Sequence, residues 1–207
     1  MVNKKRLVFG VGINNADYVV QKWKTVAVDG ERKRKLVWEC PYHRAWKNML
    51  NRCYYNKLQE RYPTYKGCSV SDDWLTFSNF KAWMETQDWE GKHLDKDLLF
   101  EGNKVYSADT CVFVSRVVNL FTIYRGNDRG EWLVGLSWNK RDNKFMSSCS
   151  NPFTKRREHL GYFDSEQDAH EAWLNRKLEL AYELAAIQTD ERVAKALINR
   201  YSNYKTA

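Results

Sequence analysis

Between Ser137 and His159, polar and basic side chains alternate with apolar ones. Arginine, lysine and asparagine are the residue types that reach base edges in the major groove, and neighbouring amines contact phosphates. Acidic residues are nearly absent from these positions, although an idle solvated surface normally mixes both signs of charge. The pattern therefore favours a surface for double-stranded DNA over a plain solvated face. The predicted contacts are Ser137, Asn139, Lys140, Arg141, Lys144, Met146, Ser148, Ser150, Lys155, Arg156, Arg157 and His159.

Three predicted strands position these side chains. Alternation runs over residues 131–139, 144–150 and 157–163. Because successive strand residues face opposite ways, the other positions form an apolar face. Its members are Leu136, Trp138, Phe145, Ser147, Cys149 and Leu160. The short turns between the strands predict an antiparallel sheet.

A helix follows the third strand and can cover the apolar face. Asp164 to Gln167 has the pattern of a capping box, with acids at the positive end of the helix dipole. Apolar residues then recur at helical spacing. They are Ala169, Ala172, Trp173, Leu180 and Leu184. A last helix is expected after Thr189 or Asp190, with Val193, Leu197, Ile198 and Tyr201 on one stripe.

The same region resembles the APETALA/ERF-type DNA-binding domain of phage and bacterial proteins. The matching positions are Gly135-Leu136, Lys144-Phe145, Leu160-Gly161-Tyr162-Phe163, Ala169 and Ala172-Trp173. The resemblance covers about a quarter of the chain and implies a DNA-reading sheet. It departs at Ser137, where plant members often carry arginine. The base preference of the family is therefore not transferred.

The middle of the chain predicts the order strand, loop, strand, helix. Strands are expected over 94–100 and 111–114, and a helix from Ser115 to Phe121. Two earlier helices are predicted by apolar residues at three- and four-residue spacing, one starting at Pro41 and one over Thr76 to Thr86.

Three segments of this region, PYHRAWKNMLNRCY, DDWLTFSNFKAWM and LDKDLLFEGNKVYSADTCVFVSRVVN, are similar to phage proteins related to HNH (His-Asn-His) homing endonucleases. Many of those proteins pair the module with an APETALA-type domain in the order found here. The resemblance spans Pro41 to Phe121 and implies a ββα module with flanking helices. It places Asp95 and Asn119 at metal-ligand positions, with Mg²⁺ as the cofactor if the module is active.

The catalytic base of that module is missing from its usual position. Lys96 stands there, and Thr110 stands where the family has its middle asparagine. A lysine with an ordinary pKa of about 10.4 is protonated at neutral pH and cannot accept a proton. His93 lies two residues before Asp95, so a strand would project both to one side, and an exposed loop histidine is the competing interpretation. The sequence therefore predicts no catalytic residue and no cofactor. If the module is active, the predicted catalytic residues are His93, Asp95 and Asn119.

The composition narrows the kind of partner, the cellular location and the state of the cysteines that we expect. The 207 residues carry a net charge of +8, which favours a polyanionic partner, and their 14% aromatic content argues against disorder. No apolar run approaches the roughly 20 residues that span a bilayer, so we expect a cytoplasmic protein with no membrane partner. Free thiols are expected, and a zinc site is the alternative for four of them. These four are Cys40, Cys53, Cys68 and Cys111.

The predicted fold class is α+β, with the HNH-like ββα module and its flanking helices first. The three-stranded antiparallel sheet packed on a helix follows it, and a C-terminal helix comes last. The expected domains are a basic arm (1–39), the degenerate HNH-like module (40–123), a linker (124–130) and the APETALA/ERF-like domain with its C-terminal helix (131–207). The arm either follows phosphates or is a solvated lead-in.

The function predicted from the sequence is that of a sequence-specific double-stranded-DNA-binding protein derived from a homing endonuclease. We expect a phage or phage-satellite transcriptional repressor, monomeric or homodimeric, in the cytoplasm of a bacterial host. The alternative is an active, metal-dependent HNH-type homing endonuclease. An accessory RNA-binding protein that uses only the positive field is a third hypothesis.

Overall fold

The computed structural model describes residues 7–123 and 131–204. The chain divides into two compact units, one up to Phe113 and one from Val114 onward. Both contain helices and small sheets, so the predicted α+β class is confirmed. The basic cluster Lys4 to Arg6 and the expected linker at 124–130 lie outside the described residues. Within the described part, no helix is long and apolar enough to cross a membrane.

The first unit is built from short elements. They are β1 (Gln21–Val28), β2 (Glu31–Glu39), α1 (Pro41–Tyr54), α2 (Asn56–Arg61), β3 (Ser69–Val70), α3 (Phe77–Glu85), β4 (His93–Asp95) and β5 (Val105–Tyr106). Strand β6 (Val112–Val114) follows and reaches the division between the units. β1 and β2 form an antiparallel hairpin, β3 pairs in parallel with β5, and β4 pairs with β6.

Two helices bring aromatic and aliphatic side chains into the core of this unit. α1 begins with Pro41 in its first turn, where a missing backbone N–H costs nothing, and buries Trp46 and Leu50 on one face. α3 buries Phe77 and Phe80 in the same cluster. The sequence prediction of both helices, with their aromatic residues in the core, is confirmed.

The first strand of the middle region is shorter than predicted. Strand structure ends at Asp95, and the rest of 94–100 is a turn. The Asp95 carboxylate accepts hydrogen bonds from the backbone N–H groups of Asp97 (3.0 Å) and Leu98 (2.8 Å). A side chain that captures the N–H groups two and three residues ahead turns the chain, so it cannot continue as a strand.

The second unit contains the predicted sheet and helices. Its elements are α4 (Arg116–Thr122), β7 (Leu136–Asn139), β8 (Lys144–Ser150), β9 (Arg157–Phe163), α5 (Glu166–Ala186) and α6 (Glu191–Ser202). The three strands form an antiparallel sheet in the order β7-β8-β9, packed on α5. Ser165 caps α5 by accepting from Asp168 N–H, and Asp190 caps α6 by accepting from Arg192 N–H. The sheet-on-helix prediction is confirmed, although the first strand begins at Leu136 and not at 131.

Close backbone approach fixes the sheet on α5. Gly135 has φ +85°, and a Cβ at this position would lie 2.1 Å from the Trp173 indole, so only glycine fits. His170 Nδ1 lies 3.0 Å from the Val134 carbonyl oxygen and adds a polar tie beside it.

Helix α4 packs on the C-terminal helices. The Tyr201 hydroxyl donates to the Phe121 carbonyl at 2.8 Å, and the two rings lie 5.3 Å apart. The helix expected to complete the ββα module therefore belongs, by its contacts, to the second unit.

Candidate nucleic-acid interface

The strand register brings predicted contacts from all three strands onto one face of the β7-β8-β9 sheet, here called the outer face. Across the sheet, Ser137 pairs with Met146 and Met146 with Tyr162. The remaining cross-strand pairs are Asn139 with Lys144, Ser148 with His159, and Ser150 with Arg157. Alternation places these rows on one side and the apolar rows on the side of α5.

A bulge in β9 adds a tyrosine that the sequence did not predict. Ser147 pairs with Gly161 and Ser148 with His159, which leaves Leu160 as the extra residue. The bulge reverses the alternation beyond it, so Tyr162 lies on the outer face with 46% of its surface exposed. Its ring centroid is 4.8 Å from that of His159. The signal available in the sequence was the glycine inside a strand, which adopts φ +138° here.

Arg157 is held in place by a neighbouring strand. Its Nε donates a 2.7 Å hydrogen bond to Ser148 Oγ. Ser148 is only 6% exposed, whereas Arg157 is exposed. The structure therefore places Ser148, predicted as a surface contact, beneath Arg157 as its support, while Ser150 remains exposed.

Lys155, Arg156 and Arg157 are consecutive exposed cations at the end of the β8–β9 loop. Asn151 shapes this loop, because its side-chain oxygen accepts from the N–H groups of Phe153 (2.8 Å) and Thr154 (3.1 Å). Within residues 7–123 and 131–204, no carboxylate lies within ion-pair distance of the three cations. The loop thus carries uncompensated positive charge.

The acid that follows these cations faces the other way. Glu158 pairs with Cys149 on the side of the sheet that faces α5. Its carboxylate accepts from Arg176 Nε at 2.7 Å and from Asn151 Nδ2 at 2.7 Å. The hydrogen bond from Arg176, and then that from Asn151, lower the pKa of Glu158, so it stays ionised without reducing the charge of the outer face.

At the β7–β8 end of the outer face, in contrast to the β8–β9 loop, two of the cations are paired with carboxylates. Arg141 forms an ion pair with Asp142 (Nε to Oδ1, 2.9 Å), and Lys144 forms one with Asp164 (Nζ to Oδ1, 3.1 Å). Asn139 shapes the turn by accepting from Arg141 N–H, and Lys140 is exposed. The available positive charge is therefore concentrated at the β8–β9 end.

The first unit shows how the residues at the HNH-like positions are used. Lys96 is 6% exposed, and its Nζ donates to the Asn103 carbonyl (2.8 Å) and to the Asp97 carboxylate (3.1 Å). His93 is exposed. The pKa of Asp95 is raised by the burial of its carboxyl group and, in addition, by the neighbouring charge of Asp97. Lys96 is thus a buried structural cation with its ammonium group occupied.

The candidate metal ligands are divided between the units. Asp95 ends β4 in the first unit, whereas Asn119 lies in α4 of the second. In the part of the chain that the structure describes, no three His, Cys, Asp or Glu side chains are grouped so that they could hold a metal ion. All five cysteines are buried free thiols. Burial raises the pKa of Cys53 and of Cys111 to about 12, which makes these thiols unreactive near neutral pH.

Comparison of the chain with protein-family models, with curated proteins and with solved structures found no match.

Proposed function

We propose that the chain is a sequence-specific double-stranded-DNA-binding protein that acts as a transcriptional repressor of a phage or phage satellite. The outer face of the β7-β8-β9 sheet would lie in the major groove of an operator, and binding would exclude RNA polymerase from the promoter. The protein would act in the bacterial cytoplasm as a monomer or homodimer. Descent from a homing endonuclease, suggested by the sequence resemblances, is part of this proposal.

One observation carries the proposal: the separation of charge across β9. Lys155, Arg156 and Arg157 are exposed and have no carboxylate partner in the described residues, whereas Glu158 is turned towards α5 and paired with Arg176. An inert surface has no reason to keep its cations unpaired and its acid on the reverse side. A polyanion supplies the missing negative charge.

The geometry suggests a division of roles within the outer face. Lys155 and Arg156, on the loop, are placed to contact phosphates and fix the register of the protein. Arg157, oriented by Ser148, and the His159–Tyr162 pair project from the strand itself. A planar guanidinium with a fixed direction is suited to bidentate contact with guanine, which gives sequence discrimination.

The proposal includes no cleavage step. Hydrolysis by an HNH-type site needs a general base near the scissile phosphate. The residue at that position, Lys96, is buried and holds Asp97 and the Asn103 carbonyl. We therefore assign Lys96 to stabilising the turn after β4 and place the function of the chain in binding.

Selection of duplexes from a random DNA pool with the full-length chain tests this function. We expect enrichment of a defined sequence, tighter binding to it than to a scrambled duplex, and an intact duplex after incubation with Mg²⁺ or Mn²⁺. Absence of enrichment, or competition by duplex RNA as strong as by the selected DNA, would overturn sequence-specific DNA recognition. Cleavage that is lost in Asp95→Ala would instead establish the nuclease.

A further inference from the structure

The β1–β2 hairpin has a basic composition and no core of its own. Among the side chains described between Lys22 and Trp38, none is buried, and Trp23 and Trp38 are 44% and 43% exposed. A two-stranded hairpin with no covered face is at best marginally stable alone. From here on, the arm means this hairpin alone, residues 22–38 of the predicted basic arm at 1–39. Because its side chains are not buried, it has a role other than packing.

The base of the arm is firmly attached to α1. Glu39 is 6% exposed, and its carboxylate accepts from Lys47 Nζ (2.6 Å) and Gln21 Nε2 (2.6 Å). Burial alone would raise the pKa of Glu39, but the hydrogen bonds from Lys47 and Gln21 outweigh it and lower the pKa, so the carboxylate stays charged. The distal turn at Asp29 and Gly30 has positive φ at both residues, as a tight two-residue hairpin turn requires. The arm is thus a defined ribbon anchored at one end.

Both faces of the arm are cationic. Between Lys22 and Trp38 there are six cations and two acids, a net charge of 6 − 2 = +4. Lys22, Lys24, Lys33 and Lys35 share one face by alternation and register. Arg32 and Arg34 lie on the other face with Trp23, and the Arg34 guanidinium is 5.3 Å from the Trp23 ring centroid.

Like charges lie directly opposite each other in this ribbon. Lys24 pairs with Lys35 across the two strands, an arrangement that destabilises an isolated hairpin. In the described residues, Lys33 is the only cation of the arm with a carboxylate partner (Glu31, 3.1 Å), and both side chains of that pair are exposed. A polyanionic partner would convert this repulsion into attraction.

We propose that the arm is a second nucleic-acid-binding surface, which enters a groove of duplex DNA and contacts phosphates on both walls. A groove has phosphates on two sides, and a ribbon with cations on both faces matches that arrangement, whereas a flat anionic surface would need only one basic face. The major groove, about 12 Å wide, admits a two-stranded ribbon. Eight residues of strand extend about 27 Å, most of one turn of the double helix.

The arm belongs to the first unit, so the proposal stands on contacts separate from those of the outer face. The test compares full-length chains on one fixed duplex by fluorescence anisotropy over a range of salt. The arm variant is Lys24→Ala/Lys35→Ala, and the matched control is Lys57→Ala/Lys195→Ala, which removes the same charge from exposed positions outside both proposed surfaces. The slope of log K against log salt is negative, and each lost phosphate contact reduces its magnitude by about 0.9. We expect a decrease in magnitude of about 1.8 for the arm variant and little change for the control.

An equal decrease in the control would show a general effect of net charge and overturn the arm as a site. If the slope stayed unchanged in the arm variant but became less steep in Lys155→Ala/Arg156→Ala, the arm would be rejected and the outer face retained. If the unaltered chain bound no duplex, both proposals would fail. If the arm variant sedimented differently from the unaltered chain in the absence of DNA, while the slope stayed the same, the arm would join two copies of the chain. That result would also overturn the proposal.

Discussion

Arg157 and Ser148 are joined by a 2.7 Å hydrogen bond between adjacent strands, with the guanidinium exposed and the hydroxyl buried. The buried partner restricts the rotamers of the exposed one before any ligand arrives. Immobilising a long side chain on binding costs about 0.5–1.5 kcal/mol, so orienting it in advance raises affinity without adding a contact.

Ser148→Ala should therefore weaken binding to the selected duplex although the residue is not on the surface. We expect a loss of about 2- to 10-fold, corresponding to the cost of ordering Arg157. Ser147→Ala is the matched control, because Ser147 is the preceding residue of β8, is also buried, and its hydroxyl has no hydrogen-bond partner in the described residues. Anisotropy titrations of both variants, with thermal unfolding as a check on the fold, measure the effect. Equal losses in the two variants would contradict the positioning role.

Arg157 and Arg141 should contribute differently to the free energy of DNA binding, although both are exposed arginines of the same sheet. Arg141 must leave its ion pair with Asp142 before it can bind a phosphate, whereas Arg157 has no carboxylate partner in the described residues. We expect Arg157→Ala to weaken binding by about 1–3 kcal/mol if it reads a base, and Arg141→Ala by less. Asp142→Asn, which releases Arg141, should strengthen binding. A larger loss for Arg141→Ala would place the reading surface at the β7–β8 turn.

Gly135→Ala should destabilise the second unit strongly. The substitution combines a positive φ of +85° with a Cβ that would lie 2.1 Å from Trp173. Backbone strain and overpacking each cost about 1–3 kcal/mol, so we expect a loss of about 2–6 kcal/mol in the free energy of unfolding. Gly102→Ala is the control for strain alone, because Gly102 has φ +77° and open space around it. Denaturant unfolding measures both, and similar losses would show that contact with Trp173 is unimportant.

The parts of the fold that could be predicted from the sequence are those in which one face is buried. Burial produces the three- and four-residue spacing of Ala169 and Trp173 in α5, and the alternation in β8, so both elements were found. The hairpin β1–β2 has neither face buried, and its sequence carries no such periodicity. It was therefore predicted only as a basic arm.

The candidate site was predictable in its residue types and less so in its geometry. The bulge at Leu160 moves Tyr162 to the outer face, and it depends on pairing with Ser147 and Ser148 in another strand. The ion pair between Lys144 and Asp164, 20 residues apart, depends on tertiary structure in the same way. Neither feature can be derived from local alternation.

Because of Lys177, the stability of the second unit should vary with pH in the alkaline range. Its Nζ donates to the Phe121 carbonyl at 3.0 Å and lies 3.7 Å from the centroid of the Phe121 ring. Burial lowers the pKa of Lys177 to about 8. In the unfolded chain a lysine has a pKa of about 10.4, so between these values the unfolded state binds more protons and stability rises with pH. The penalty for burying the charge is complete below the folded pKa and is relieved as the pH rises through it.

We therefore expect the free energy of unfolding of the natural chain, relative to Lys177→Met, to increase between pH 7 and pH 10. The expected gain is about 1–3 kcal/mol, less than the full shift in pKa, because the aromatic rings favour the charged form. Lys195→Met, at an exposed position of α6, should show no such trend relative to the natural chain. Chemical denaturation at several pH values measures these differences, in which the titration of all other groups cancels. A constant difference across this range would mean that the contacts with Phe121 and the neighbouring rings keep Lys177 protonated, and that its burial carries no net penalty.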